Sequence, residues 1–335
     1  MLNTAKWKRA LLFACKIALG SSMAIYTAEL LSLQFSSSAG IVTLLTLSVT
    51  KKGTLRLSAA RIVTFLLAAA VATITFMPIR SEWLAYGLFV FLVTLLSEVM
   101  GWRATISTNA VIGTHFLMNK DFSPEFFLNE FLLVAIGVLF AFLLNLFQDS
   151  RGEQRNFAKK IHHLEQQMQN LLVEIAKFLS GQPSRKGLWR ELASIEKHLQ
   201  KCMEDAYEYE GNTYGEDAAY YARYFEMRLN QCRIIHNLQN EMQKIRNMPV
   251  QAHVVAEYIS YLSQYVLEMN EPAPQLQRLE GIFLQMKDEP LPASRTEFES
   301  RAVLYHILMD LEDFLMEKQR FVHKEGKAPA GVASL

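Results

Sequence analysis

The chain has 335 residues, of which 51% are hydrophobic and 20% charged, with a formal net charge of +1. Three cysteines exclude a disulfide framework, the balanced charge excludes the basic excess of a nucleic-acid binder, and the apolar content excludes a disordered chain. The length suits about two domains of roughly 150 residues each.

The averages hide a split near residue 150. Residues 1–150 carry 11 Lys and Arg with 7 Asp and Glu, against 23 and 26 in residues 151–335. Long apolar runs with sparse charge, followed by charged helical periodicity, read as a membrane domain over 1–150 and then a soluble one.

Six apolar segments follow in chain order: residues 10–33, 37–49, 57–77, 83–99, 104–118 and 126–147. A spanning helix needs about 20 residues, so the first, third and sixth qualify, the fourth is marginal, and the second and fifth are short. Lys6, Lys8 and Arg9 before the first segment imitate a signal peptide, but Lys16 interrupts the apolar region and five segments follow, so no cleavage is expected. Basic residues recur on alternate loops: Lys6, Lys8 and Arg9, then Lys51, Lys52 and Arg56, then Arg103, then Arg151, Arg155, Lys159 and Lys160. The positive-inside rule therefore puts both termini in the cytoplasm with six spans.

From Phe157, apolar residues recur at Ile161, Leu164, Met168, Leu171, Ile175 and Phe178, the seam of an amphipathic helix. Further helices are expected near 188–209, along the stripe from Ala218 to Met242, and near 250–269, 274–287 and 296–322, with a break at Gly211-Asn212 and another at Pro249. The expectation is a cytoplasmic all-helical bundle over 151–323 and a disordered tail over 324–335. The fold class is thus all-α, six membrane helices followed by this bundle. The tyrosines 207, 209, 214, 220, 221 and 224 read as core and helix-packing residues.

Ionisable residues inside spans mark pathways or pairs. Lys16 and Glu29 lie in the first segment, Arg61 in the third and Glu98 in the fourth. Glu29 and Glu98 are read as proton-coupling groups or as interfacial acids. Lys51, Lys52, Arg56 and Arg61 gather toward the cytoplasmic face, either as the topology signal alone or as a vestibule that concentrates organic anions. The second segment aligns Ala39, Thr43, Thr46 and Thr50 on one helical face, and the fifth carries Thr105, Thr108, Asn109, Thr114 and His115. These residues serve close helix packing or line a polar route. His115 is either a proton-coupling imidazole, since histidine titrates near neutrality, or a hydrogen bond between helices.

The string Ser36-Ser-Ser-Ala-Gly-Ile-Val-Thr43 resembles Ser107-Thr-Asn-Ala-Val-Ile-Gly-Thr114, with Ser, Ala, Ile and Thr matching at a constant offset of 71. Each lies in the middle segment of a three-span half, so the halves are inverted. Short segments at matching places in inverted halves point to a transport site between them.

No phosphate-binding loop, dinucleotide fingerprint or nucleophile–base pair is visible, and adjacent His162 and His163 point their rings apart on a helix. Cys15, Cys202 and Cys232 read as reduced thiols. No cofactor, no metal and no enzymatic activity are expected.

Several strings resemble the bacterial aromatic acid exporter family, within the fusaric-acid-resistance-like superfamily. They are Ala39-Gly-Ile-Val-Thr-Leu-Leu-Thr-Leu, Lys51-Lys-Gly-Thr-Leu-Arg-Leu-Ser-Ala-Ala-Arg61, the His115 segment, Asn145-Leu-Phe, and Tyr220-Tyr-Ala-Arg-Tyr-Phe-Glu-Met-Arg228. The family's glycine-rich stretch after the third-span arginine is replaced here by Val-Thr-Phe-Leu-Leu-Ala-Ala-Ala. The resemblance implies six spans in the bacterial cell membrane plus a cytoplasmic helical domain, in a half-size unit that forms a homodimer or a higher homo-oligomer. It implies proton-coupled efflux of aromatic carboxylates. Lys51, Lys52, Arg56 and Arg61 would attract the anion, and Thr43, Asn109 and His115 would line its route. The plant aluminium-activated malate transporters share the layout and are anion channels, which supplies the alternative of a passive channel. A membrane-anchored interaction or sensor protein is the third reading.

Overall fold

The structure is a computed structural model that describes residues 4–48, 50–146, 153–183, 187–214, 218–246, 248–266 and 271–325, without the side chains of residues 4–6, 8, 9 and 188. Among the described residues there are helices and turns and no strand. The chain divides into two compact units, Met1–Asp149 and Ser150–Leu335.

The first unit holds α1 (Thr4–Leu30), α2 (Ser37–Thr46), α3 (Lys51–Phe76), α4 (Glu82–Val99), a 3₁₀ turn at Arg103–Thr105, α5 (Ile106–Asn119) and α6 (Pro124–Leu146). Each of the six apolar segments contains one helix. Four helices, α1, α3, α4 and α6, are long and apolar enough to cross a membrane. The expectation of six spanning helices is met by length in those four only. The ten residues of α2 and fourteen of α5 extend about 15 and 21 Å at 1.5 Å per residue, against about 30 Å of hydrocarbon.

Local geometry explains why both are short. Ser32 and Phe35 adopt positive φ just before α2, and Leu47 is extended just after it. The 3₁₀ turn delays the start of α5, and Lys120 ends it in the left-handed region. By contrast α3 begins six residues before the predicted apolar segment, because the Thr50 hydroxyl caps it by accepting from the Gly53 amide.

Two kinds of packing hold this unit. Between α1, α2 and α6 the contact is made by small residues, Ala24, Ala28 and Ala39, with Leu133 and Ile136. Gly137 is required there: a Cβ would lie 2.5 Å from the Val42 Cβ and 2.7 Å from the Ala39 carbonyl oxygen. Between α3, α4, α5 and α6 the core is aromatic, with Phe65, Phe76, Phe89, Phe116 and Phe126 buried together.

The second unit holds α7 (Glu153–Leu179), α8 (Leu188–Asn212), α9 (Ala218–Met242), α10 (Val250–Ser263), α11 (Ala273–Lys287) and α12 (Arg295–Glu325). The predicted seam of α7 is buried from Phe157 to Ile175, whereas Phe178 is only half-buried and the adjacent Leu179 takes the core position. Helix α8 runs through Gly211 and ends at Asn212, three residues beyond the expected 209, so the chain breaks just after Gly211-Asn212 and not at it. Helix α12 continues through Lys324 to Glu325, where the carboxylate meets Arg223 of α9 at 2.6 Å and is nearly buried. That ion pair holds the end of the helix; the rest of the predicted tail, 326–335, lies outside the described residues. Tyr209, Tyr220, Tyr221 and Tyr224 are buried in the core, whereas Tyr207 and Tyr214 are exposed. Cys202 and Cys232 are buried free thiols, and Cys15 is an exposed one on α1. Burial pushes the Cys232 thiol up to about 12, so it stays protonated and inert at neutral pH.

A fully buried guanidinium organises this bundle. Arg228 of α9 meets Glu165 of α7 at 3.0 Å, donates to Tyr224 Oη at 2.8 Å and to Gln231 Oε1 at 2.9 Å, and reaches the Val266 carbonyl after α10. Gln231 in turn donates to the Phe314 carbonyl of α12 at 2.8 Å. Removing the cation leaves Glu165 as a buried unpaired charge. Arg228→Ala should therefore lower stability by about 3–5 kcal/mol, read by denaturant unfolding. In the first unit, Gly137→Val should cost about 1–3 kcal/mol through overpacking, read as a lower melting temperature of the solubilised chain.

Candidate functional site

The first unit concentrates its buried polar groups in two clusters, one toward each end of α2. Helices α2 and α5 run in opposite directions between them. Arg61 joins the end of α2 to the turn before α5, while Ser38 at the start of α2 meets His115 near the end of α5.

The basic cluster is built from α1, α3, α6 and the segment after α2. Arg61 is 1% exposed. Its Nη2 donates to the Leu45 carbonyl at 2.7 Å and to the Ala104 carbonyl at 3.2 Å. Leu45 belongs to the last turn of α2, where carbonyls lack helical partners and the helix dipole favours a cation. Arg61 Nε and Nη1 are buried and have no hydrogen-bond partner, and among the described residues no carboxylate pairs with it. The Ser58 hydroxyl, one turn earlier on α3, is also buried without a partner.

Beside Arg61, Asn145 of α6 joins three segments. Its Oδ1 accepts from Lys16 Nζ of α1 at 2.7 Å, and its Nδ2 lies 3.0 Å from the Ser48 carbonyl, 3.2 Å from the Thr50 carbonyl and 2.5 Å from Thr54 Oγ1. Lys51 is half-buried, and Lys52 and Arg56 are exposed on the first turns of α3. The predicted basic group thus shares one end of α3, but only Arg61 enters the interior. The side chains of Lys6, Lys8 and Arg9, and the whole of Arg151, lie outside the described residues.

Asn109 and Thr108 on α5 are buried, and Asn109 Nδ2 and Thr108 Oγ1 have no hydrogen-bond partner. Asn109 lines a cavity of about 10 Å³ with Thr64 and Ser97, between α3, α4 and α5. That volume admits about one water. Thr43 does different work. Its single hydroxyl proton has the Ala39 carbonyl at 2.9 Å and the Gly137 carbonyl at 3.1 Å, at the close contact of α2 with α6.

The second cluster is built around His115. Its Nδ1 lies 2.6 Å from Glu130 Oε2 on α6, and its Nε2 lies 3.0 Å from Ser38 Oγ on α2. Phe35 stacks on the imidazole at 4.2 Å between centroids with 5° between planes. Asn129 Nδ2 donates to the second Glu130 oxygen at 3.1 Å. Glu130 is fully buried.

Sequence reasoning missed Glu130, although the signal was available: it is an acid six residues inside a helix, surrounded by Phe, Leu and Val. The acids singled out instead are peripheral. Glu29 is exposed on α1, and Glu98, at the end of α4, pairs with exposed Arg103 at 3.1 Å. Asn145 stands in the family-like string Asn145-Leu-Phe, which by itself does not reveal its hydrogen bonds.

Long apolar helices enclosing two buried polar clusters define a multi-pass helical membrane protein. The model of aromatic acid exporter family member 1 matches residues 13–148, and a model described as an aromatic acid exporter C-terminal domain matches residues 154–319. The chain belongs to the aromatic acid exporter family, a family of membrane transporters. It is 30% identical over 308 residues to "Uncharacterized protein YqjA" of Bacillus subtilis (strain 168), covering 91% of this chain and 94% of that one. A crystal structure from Clostridium difficile 630, described as that of a membrane protein, is 25% identical with a TM-score of 0.43, covering 50% of this chain and 98% of the other.

The geometry makes one structural prediction about the basic cluster. Asn145→Ala removes the acceptor of Lys16 and the donors to two carbonyls. The solubilised chain should lose about 2 kcal/mol of stability, read by thermal unfolding.

Proposed function

We propose that this chain exports organic anions, aromatic carboxylates foremost, in exchange for protons, and that Arg61 is the group that binds the carboxylate. The observation that carries the reading is the Arg61 guanidinium: buried, without a carboxylate partner among the described residues, and with two nitrogens unpartnered there. A buried cation is costly unless it is paired. Two carbonyls satisfy part of this guanidinium, and a carboxylate would complete it in the bidentate geometry that arginine favours. Lys51, Lys52 and Arg56 at the same end raise the local concentration of anions. Asn109, Thr64 and Ser97 supply polar contacts further along α3, α4 and α5, and Phe65 and Phe89 in the neighbouring core suit an aromatic ring. The cavity holds about one water, so this conformation is closed and transport requires α3, α4 and α5 to separate there.

Six passes belong to the same reading. Helices α2 and α5 each connect the two polar clusters, and the flanking segments complete the crossing. The basic cluster then faces the cytoplasm, with both termini and the helical bundle on that side. Two or more copies of this half-size chain form the working unit. The exposed apolar face of α1, with Leu12, Leu19 and Met23, is a surface for lipid or for a second copy.

Proteoliposomes holding the purified chain test the reading with a panel of radiolabelled aromatic and aliphatic carboxylates. Saturable uptake of an aromatic acid, driven by a proton gradient, is expected. Arg61→Gln should lower it at least tenfold, and Arg61→Lys should retain part of it with weaker affinity. Unsaturating anion current in planar bilayers would favour a passive channel, and full transport by Arg61→Gln would remove Arg61 from the site.

A further inference from the structure

The His115–Glu130 pair is a buried ionisable unit that anion binding at Arg61 does not use. Glu130 is fully buried and His115 is 5% exposed. The imidazole has all its polar atoms engaged, Nδ1 with Glu130 and Nε2 with Ser38, and one ring face covered by Phe35. Phe35 itself sits at φ +56°, in the left-handed region that a bulky side chain adopts at a cost of about 1–2 kcal/mol. Ser32, three residues earlier, is also left-handed at φ +53°. Strained backbone persists where the surrounding structure holds it and clusters at functional sites, and here the strained residue covers a buried titratable pair.

We propose that His115 and Glu130 form the proton-binding site of the exporter, with Ser38 and Phe35 as positioning residues that orient and cover it. Its use in export rests on the reading of the chain as an exporter; its capacity to take a proton does not. In the proton-empty state His115 Nδ1–H donates to the Glu130 carboxylate, the Ser38 hydroxyl donates to Nε2, and the unit carries a charge of −1. A proton arriving from water forms an N–H bond at Nε2. The Ser38 hydroxyl then turns from donor to acceptor, and the unit becomes a neutral imidazolium–carboxylate pair. No other bond forms or breaks. Because an isolated buried carboxylate is strongly disfavoured, loading stabilises the closed arrangement and release of the proton favours an opened one.

The surrounding charges leave this unit to itself. Helix α2 has no titratable residue, and neither do residues 31–36. The four cations of α3 precede residue 62, and Arg61 lies at the opposite end of α5 from His115. On α4, Glu82 pairs with Lys120, which follows α5, at 2.8 Å on the surface, and Glu98 pairs with Arg103. The other acid of α6, Glu125, is exposed, as is Glu29 of α1. Arg80 and Asp121 lie in the connections beside α4 and α6. Among the described residues, none of these groups hydrogen-bonds or ion-pairs with His115 or Glu130.

The test uses the full chain in lipid nanodiscs and in proteoliposomes. Nitrogen NMR of histidine-labelled protein, compared with His115→Gln, isolates the His115 signals. They should shift as pH is lowered, with Nε2 changing from acceptor to protonated nitrogen. Signals that stay fixed as pH is varied would overturn the proposal. In transport, Glu130→Gln should lower proton-driven accumulation at least tenfold relative to proton-independent exchange of the same carboxylate. An unchanged ratio would also overturn it. If Glu130→Gln does not fold, Ser38→Ala, which loses only the Nε2 contact, should displace the pH midpoint of transport, and an undisplaced midpoint counts against the site. If the wild-type chain moves no carboxylate, the exporter reading fails, and the NMR titration alone decides whether the pair binds a proton.

Discussion

A polar group inside a bilayer has no water to fall back on, and the first unit is arranged around that constraint. Its main chain answers with helices, but helices have ends, and α2 ends with Thr46 and Leu47 buried in the interior. The last turn of α2 leaves carbonyls without helical partners, and the two following residues are extended or irregular. Arg61 satisfies Leu45 and Asn145 satisfies Ser48 and Thr50, so a short helix is made tolerable by side chains from α3 and α6. Once those side chains are fixed, so is the approach of α3 and α6 to α2. The close contact at Gly137 and the engagement of the Thr43 hydroxyl sit on that same α2–α6 contact.

The second unit also buries a cation, and completes it differently. Arg228 is as deeply buried as Arg61, yet its guanidinium is completed by a carboxylate, a tyrosine, a glutamine and a carbonyl. A satisfied buried cation specifies how four helices fit together and is not available to a ligand. An incompletely satisfied one, like Arg61, retains donors for something else. The contrast within one chain separates a completed arginine from one with donors to spare, where burial alone would treat them alike.

Much of this was legible in the sequence because apolar length and helical period are local signals. The six apolar segments each hold a helix, and the stripe from Phe157 to Ile175 is buried along α7. What was not legible depends on partners distant in sequence. Glu130 sits in a strongly apolar helix and has meaning only beside His115, fifteen positions earlier, and Ser38. Asn145 reads as an ordinary residue at a helix end until Lys16, 129 positions away, is placed against it. Thr43 reads as one of several hydroxyls on a polar stripe, and only the closeness of Gly137 shows where its proton goes. The end of α12 was misjudged for the same reason, since Arg223 of α9 holds Glu325.

The repeat between residues 36–43 and 107–114 takes on physical content in this frame. At its offset of 71, Ser38 corresponds to Asn109, and α2 and α5 run antiparallel, as inverted halves require. The two equivalent positions nonetheless face different chemistry. Ser38 meets the imidazole–carboxylate pair, whereas Asn109 lines the cavity with Thr64, one turn along α3 from Arg61. Of the two similar strings, one thus meets an acidic centre and the other lies beside a basic one. Both centres are held by the same short helices, and any separation of α2 or α5 from its neighbours must disturb the two together. That shared support is the physical basis on which occupancy of one centre would be felt at the other, without a separate transmitting element.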